Sequence, residues 1–166
     1  MAKAVKTLDD VDLDAVAEIV NAVMYEGYIN QDFTNITDEE KEAAYAQAFN
    51  LVNQGQFETA KKVFEFLCYL DQYGAKYWMG LGICRQQLKQ FADACQAYAM
   101  AGMLDMENPM PALRAAECYL ALGRLEEADS GLTAALHWAG DQPRYAAVRT
   151  RATTLLDGLK RRMEAQ

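Results

Sequence analysis

A repeat period of 34 residues is the feature that most constrains this chain of 166 residues. Small residues recur at this spacing in two series, and other apolar residues recur at it in four. The small series are Ala48, Gly82 and Ala116, and Ala60, Ala94 and Ala128. The other series are Phe57, Phe91 and Leu125; Phe64, Tyr98 and Leu132; Leu67, Ala101 and Ala135; and Ala44, Trp78 and Ala112. A repeat of this length cannot bury its apolar face alone, so its copies must stack.

The period, with its two small positions in each copy, resembles the tetratricopeptide repeat, a helix-turn-helix unit. Small residues at both positions allow the two helices of a unit to cross closely. We therefore predict an all-α fold in which residues 37–142 form three repeats, at about 41–74, 75–108 and 109–142. This array would lie between an N-terminal helix and a C-terminal capping helix.

Turn residues support this division. Gly55 and Gly123 are predicted to lie in the turns inside the first and third repeats, and Lys89 replaces glycine in the middle copy. Two residues depart from the pattern, because Gln47 and Arg85 occupy positions that are usually apolar in the core.

The stretch that joins the first two repeats predicts close helix packing. It reads as the end of one helix, a turn at 72–74 and the start of a second helix carrying Trp78, Leu81 and Gly82. At helical spacing the small Gly82 lets a neighbouring helix approach, while Trp78 fills the gap beside it.

Both flanks of the array carry helix signals. Thr37 with Glu40 is a capping box that starts a helix near Asp38. Residues 1–36 are predicted to hold a tail and an amphipathic helix that ends near Tyr25. The apolar stripe of this helix is Leu13, Val16, Val20 and Val23. The stripe either packs on the repeats or forms a self-association or partner surface, and the sequence leaves both open.

Residues 143–166 are predicted to hold the capping helix, which starts near Pro143 and runs to about Met163. Its apolar stripe is Tyr145, Val148, Ala152, Leu155 and Leu159.

Composition narrows the function classes. A net charge of -8 disfavours nucleic acid as a partner. No apolar run approaches the roughly 18 to 20 residues that a membrane span needs, and the N-terminus lacks a signal-peptide core, so we expect a cytoplasmic protein without a membrane partner. The four cysteines form no CxxC pair, and each is expected to be a small buried thiol. They are Cys68, Cys84, Cys95 and Cys118.

The sequence offers little chemistry. His137 is the only histidine, which removes most triad and multi-histidine metal arrangements, and we expect it to cap or pack a helix end. The acidic pairs fall at helix starts or on outer faces, and no glycine-rich phosphate loop follows a strand. We therefore expect no enzyme, no metal and no cofactor.

The first helix of each repeat carries a second stripe beside its core stripe. Seven of its nine positions are apolar, which is typical of a surface kept for a partner. The nine positions are Tyr45, Phe49, Val52, Met79, Ile83, Gln86, Leu113, Glu117 and Leu120. This stripe predicts a groove for an extended apolar peptide, with Asn53, Gln86 and Gln87 bonding the peptide backbone. The alternative is that a terminal helix covers some of these residues.

Four segments are similar to one known family, the class II chaperones of bacterial type III secretion. They are GQFETAKKVF at 55–64, FLCYLDQY at 66–73, WMGLGICRQ at 78–86 and AAECYL at 115–120, and the resemblance covers roughly residues 10–160. It implies a cytoplasmic chaperone that binds hydrophobic translocator proteins without ATP and keeps them soluble and secretion-competent. It further implies a concave groove that takes an N-terminal segment of the translocator in extended form.

The resemblance also bears on single residues and on assembly. The groove aromatics of the family fall on Tyr45 and Phe49, whereas Val52 stands where an aromatic residue is common. Members often dimerise through their N-terminal helices, which makes the stripe that begins at Leu13 the candidate dimer surface in the client-free state. Two alternatives remain: a general tetratricopeptide adaptor, and a co-regulator that acts with a transcription activator.

Overall fold

The computed structural model describes residues 36–165, which form seven α-helices, one short 3-10 helix and no strand. The helices are α1 (Asp38–Asn53), α2 (Phe57–Leu70), α3 (Ala75–Gln87), α4 (Phe91–Leu104), α5 (Met110–Ala121), α6 (Leu125–Ala139) and α7 (Ala146–Glu164), and the 3-10 helix is Pro143–Tyr145. The predicted all-α fold is confirmed. The described residues divide into two compact units, 36–72 and 73–165. The N-terminal stripe Leu13, Val16, Val20 and Val23 lies outside the described residues.

The first helix starts where the capping box predicts. The Glu40 backbone N–H donates to Thr37 Oγ1 at 3.2 Å, and the Thr37 backbone N–H donates to Glu40 Oε2 at 2.7 Å. Two of the amide groups that the first helical turn leaves unpaired are thereby satisfied.

The turn inside each helix pair has one residue in the left-handed region. Its φ is +76° at Gly55, +60° at Lys89 and +73° at Gly123. Lys89 is the one non-glycine residue with positive φ among those that the structure describes. A non-glycine side chain is strained in this region, and Lys89 nevertheless adopts the same backbone conformation as Gly55 and Gly123. The three residues therefore occupy equivalent turns, as predicted.

Unit 36–72 is built on the small-residue positions. Ala48 on α1 and Ala60 on α2 are fully buried, as are Phe64 and Leu67 on α2. These are the positions that the period marks as core.

Unit 73–165 repeats this pattern twice. One core cluster, here called the Tyr98 cluster, is Ala94, Cys95, Tyr98 and Cys118. The other, the Leu132 cluster, is Leu113, Ala116, Ala128, Leu132, Ala135, Ala139, Val148, Ala152 and Leu159. Ala116 Cβ lies so close to Gly131 that a Cβ on this glycine would be 3.0 Å from it, which shows how closely α5 and α6 approach.

The capping helix α7 closes the Leu132 cluster with Val148, Ala152 and Leu159, as predicted. Its start is fastened by Arg149, whose Nη1 donates to the backbone carbonyls of Gly140 and Gln142 at 2.8 Å each. Tyr145 and Leu155 are half-buried against the same cluster.

The two residues that depart from the apolar pattern, Gln47 and Arg85, lie outside the core. Gln47 is exposed on α1, and Arg85 is half-buried on α3. The Arg85 Nη1 donates to the Asp93 carbonyl at 3.3 Å. Long side chains can occupy such positions because their polar ends reach a partner at the surface.

All four cysteines are buried free thiols, as predicted. No helix within residues 36–165 combines the length and apolar character that crossing a membrane requires.

Candidate functional site

In unit 36–72 the predicted site residues follow one face of α1. Phe49 is a large aromatic side chain that is 48% exposed, and Asn53 is exposed one turn further along the helix. Tyr45 and Val52 are half-buried. The ring centroid of Tyr45 lies 6.0 Å from that of the buried Phe64, edge to face, and 6.4 Å from that of Phe49. Tyr45 is therefore anchored to the core, and Phe49 stands beside it with half of its surface exposed.

In unit 73–165 the apolar residues lie deeper than the sequence suggests. Met79 and Ile83 on α3 are half-buried because they pack against the Tyr98 cluster. Because they are half-buried, only part of each side chain contributes apolar surface to the solvent. Leu120 on α5 is half-buried against the Leu132 cluster.

Leu113 lies in the core. It is 5% exposed and belongs to the Leu132 cluster, so it is not an exposed groove contact. The reason is tertiary: α5 packs between α4 and α6, so two of its sides are covered.

A chain of hydrogen bonds links the polar members of the predicted stripe. The buried Tyr98 Oη donates to Gln86 Oε1 at 2.6 Å, and Gln86 Nε2 donates to Glu117 Oε2 at 3.3 Å. Arg114 Nη1 approaches Glu117 Oε2 at 3.4 Å, and Arg151 Nε donates to Glu117 Oε1 at 3.0 Å. We call these five residues the Glu117 network.

The Glu117 network joins four helices, α3, α4, α5 and α7. Glu117 is only 15% exposed, and its carboxylate accepts from three side chains. Gln86 is committed to Tyr98 and Glu117, whereas Gln87 is exposed. Sequence reasoning missed Arg114 and Arg151, although Arg151 stands 34 residues after Glu117 and thus continues the period.

Burial sets the protonation of the groups near this network. It raises the pKa of the Tyr98 phenol and raises that of the Cys118 thiol to about 12. Burial likewise raises the pKa of Cys95. At neutral pH Tyr98 therefore stays a hydrogen-bond donor, and these thiols stay protonated.

The chemistry available elsewhere is limited. No group of His, Cys, Asp and Glu side chains in the described part of the chain could hold a metal ion. His137 is exposed near the end of α6, and its ring contacts that of Trp138 at a centroid distance of 5.1 Å, which agrees with the expected packing role.

Comparison with known proteins identifies relatives of this chain. A tetratricopeptide-repeat family profile matches residues 86–152. The low calcium response locus protein H of Yersinia pseudotuberculosis is 37% identical over 131 residues, which cover 79% of this chain and 78% of that protein.

Two solved structures are similar to this chain in sequence and fold. PcrH of Pseudomonas aeruginosa, in complex with the chaperone binding region of PopD, is 37% identical with a TM-score of 0.77, covering 79% of this chain and 98% of that chain. The translocator chaperone SycD of Yersinia enterocolitica, in complex with a peptide of the translocator YopD, is 35% identical with a TM-score of 0.76, covering 78% and 99%. The chain therefore belongs to the family of type III secretion translocator chaperones.

Proposed function

We propose that this chain is a cytoplasmic chaperone that binds hydrophobic type III secretion translocators and keeps them soluble and secretion-competent. The observation that carries the proposal is Phe49, a large aromatic side chain half exposed on α1 and backed by the core-anchored Tyr45. An exposed aromatic residue with rigid support can bury its ring against an apolar client side chain at little further entropic cost.

The client segment binds in extended form against the apolar faces of the first helices. Tyr45, Phe49 and Val52 contact client side chains in one unit, and Met79, Ile83 and Leu120 do so in the other. The half-buried positions of Met79 and Ile83 suit this role, because side chains that do not protrude leave room for a side chain of the client. Met79 adds adaptability, since its flexible thioether can repack around different side chains.

Exposed amides hold the client backbone. Asn53 and Gln87 are exposed and carry both donors and acceptors, as an extended peptide requires. Gln86 and Glu117 are already hydrogen-bonded to each other, so they shape the surface rather than bond the client backbone.

The proposed activity needs no catalysis and no cofactor. A translocator exposes apolar segments that aggregate or insert prematurely, and covering one such segment suppresses both outcomes. The charge of -8 on the chaperone keeps the complex dispersed.

The client-free protein is proposed to form a homodimer through Leu13, Val16, Val20 and Val23. The support is the amphipathic spacing of these residues in the sequence. Light scattering on the Val16→Asp protein should give the mass of a monomer, whereas the wild-type protein should give that of a dimer. A Val16→Asp protein that remains a dimer would place the interface elsewhere.

The function is tested by tagging the chaperone in its own bacterium under non-secreting conditions and identifying co-purifying proteins by mass spectrometry. Phe49→Asp is the test variant. Tyr69→Asp is its matched control, because Tyr69 is an exposed aromatic residue, 73% exposed, on the other helix of the same unit.

The proposal predicts recovery of one or two proteins with long apolar segments by the wild type and by Tyr69→Asp, and their loss with Phe49→Asp. Recovery that is equal in all three strains would contradict it, as would the absence of any such protein from the wild-type sample.

A further inference from the structure

We propose that Arg151 and Arg114 form a carboxylate-binding site that receives an Asp or Glu side chain of the bound client segment. This inference rests on the proposed function and adds to it a rule of client selection: the segment should carry an acidic residue near its apolar anchors.

The first support is the unused capacity of Arg151. Its guanidinium is bound to Glu117 through Nε alone, at 3.0 Å, and its Nη1 and Nη2 make no hydrogen bond to another residue in 36–165. The side chain is 58% exposed, so the guanidinium lies at the protein surface, where a ligand can approach it. A guanidinium held at one edge presents the remaining N–H groups in a fixed fork that matches a carboxylate.

The second support is an unsatisfied donor on Arg114. Its Nε is buried and has no hydrogen-bond partner within the described residues. Its contact with Glu117 is long, with Nη1 at 3.4 Å from Oε2. Glu117 therefore satisfies Arg114 only in part, and the Arg114 side chain, which is 39% exposed, can present its positive charge to a ligand.

The third support is charge. Two guanidiniums face one carboxylate, and both oxygens of that carboxylate are already engaged. Glu117 therefore positions the two arginines without neutralising both. One positive charge of the three groups therefore remains available to an acidic ligand.

The period places this charge next to the apolar surface. Ile83, Glu117 and Arg151 follow one another at steps of 34 residues, so they occupy equivalent positions on α3, α5 and α7. Ile83 and Arg151 are thus two helix steps apart, about 16–20 Å at 8–10 Å a step, and an extended chain advances about 3.3–3.6 Å per residue. An acidic side chain roughly four to six residues from the apolar anchor at Ile83 would therefore reach Arg151.

The inference is tested with the chaperone-binding region of PopD, the segment that PcrH binds, as a synthetic peptide. Each position is replaced in turn by Glu and by Gln, and the Kd of each peptide for the full chain is measured by fluorescence anisotropy at low salt. The chaperone variants are Arg151→Gln, Arg151→Lys and the control Arg161→Gln. Arg161 suits as control because it lies exposed on the same helix and makes no contact with Glu117.

We expect one window of positions at which the Glu peptide binds the wild type about three- to tenfold more tightly than its Gln twin. This preference should persist in Arg161→Gln, weaken in Arg151→Lys and vanish in Arg151→Gln, while the parent peptide binds all four proteins. Thermal melts should show that all four are folded.

Two results would overturn the inference and leave the proposed function intact. In one the parent peptide binds but no position prefers Glu over Gln, and in the other the Glu preference survives in Arg151→Gln. A parent peptide that fails to bind, together with a wild-type pull-down that recovers no translocator, would overturn both.

Discussion

Tyr98 lies directly over Gly82, so that a Cβ placed on Gly82 would be 2.5 Å from Tyr98 Cε1 and 2.6 Å from its Cδ1. Gly82 is on α3 and Tyr98 is on α4, and both occupy small or core positions of the period. The ring of Tyr98 thus takes the volume that any side chain at 82 would need. From this position its hydroxyl reaches Gln86, so the close approach of α3 and α4 also supports the Glu117 network.

Replacing Gly82 tests this packing. Gly82→Ala should lower the free energy of unfolding by about 1–3 kcal/mol, because the ring of Tyr98 must shift, and Gly82→Leu should lower it further. Urea unfolding followed by circular dichroism measures the change. The control is Gly158→Ala on α7, where nothing lies within 4 Å of the added carbon and where alanine favours the helix. A Gly82→Leu protein that unfolds at the wild-type urea concentration would show that the repeat register is wrong.

Phe49 and Ile83 should respond differently to aspartate, although the sequence assigns both to the same stripe. Phe49→Asp should lower the free energy of unfolding by less than about 1 kcal/mol, since half of the side chain is exposed. Ile83→Asp should lower it by about 2 kcal/mol or more, because it places a carboxylate against the Tyr98 cluster. Urea unfolding of both proteins is the measurement. Equal stabilities would contradict the packing described for Ile83.

Removing the charge at Glu117 should loosen α7. In Glu117→Gln the two arginines lose their shared carboxylate, and we expect a loss of about 1–3 kcal/mol. Measured by amide hydrogen exchange, Glu117→Gln should speed the exchange of α7 relative to the wild type and leave the exchange of α2 unchanged. Glu126→Gln, on the exposed side of α6, is the control and should match the wild type. If α7 exchanges at the wild-type rate in Glu117→Gln, the network does not hold that helix.

The buried thiol at 118 predicts a loss of stability in alkali. The unfolded thiol ionises near its ordinary pKa of 9.0, whereas the folded thiol stays protonated up to about pH 12. The unfolded state therefore binds fewer protons between these values. The stabilisation from this group is complete below pH 9 and is lost as the pH rises toward 12.

Urea unfolding under reducing conditions between pH 8 and pH 10.5 measures this effect. The urea concentration at the unfolding midpoint of the wild type should decrease as the pH rises above 9, and that of Cys118→Ala should decrease less. Parallel declines for the two proteins would mean that Cys118 is not held protonated in the folded state.

The helices and their register could be predicted from sequence because the period repeats a local packing rule. Ala60, Ala94 and Ala128 are each 0% exposed, as the spacing indicates for small core positions. The start of α1 could be predicted because a capping box depends only on residues three apart in sequence.

The site could be predicted less well, because its exposure depends on neighbouring helices. Nothing in the α5 sequence distinguishes the buried Leu113 from the half-buried Leu120. Arg114 and Arg151 were missed for a similar reason: arginine is usually a solvated surface residue, and only the fold brings both to Glu117.

The central claim, that the exposed face of α1 contacts a translocator, is tested most directly by photo-crosslinking in the native bacterium. A photoreactive phenylalanine analogue at position 49 is compared with the same analogue at position 69, and crosslinked peptides are identified by mass spectrometry. The account predicts that position 49 crosslinks to one short segment of a translocator and that position 69 does not. Crosslinks to translocator from position 69 alone, or from neither position in cells that contain translocator, would contradict it.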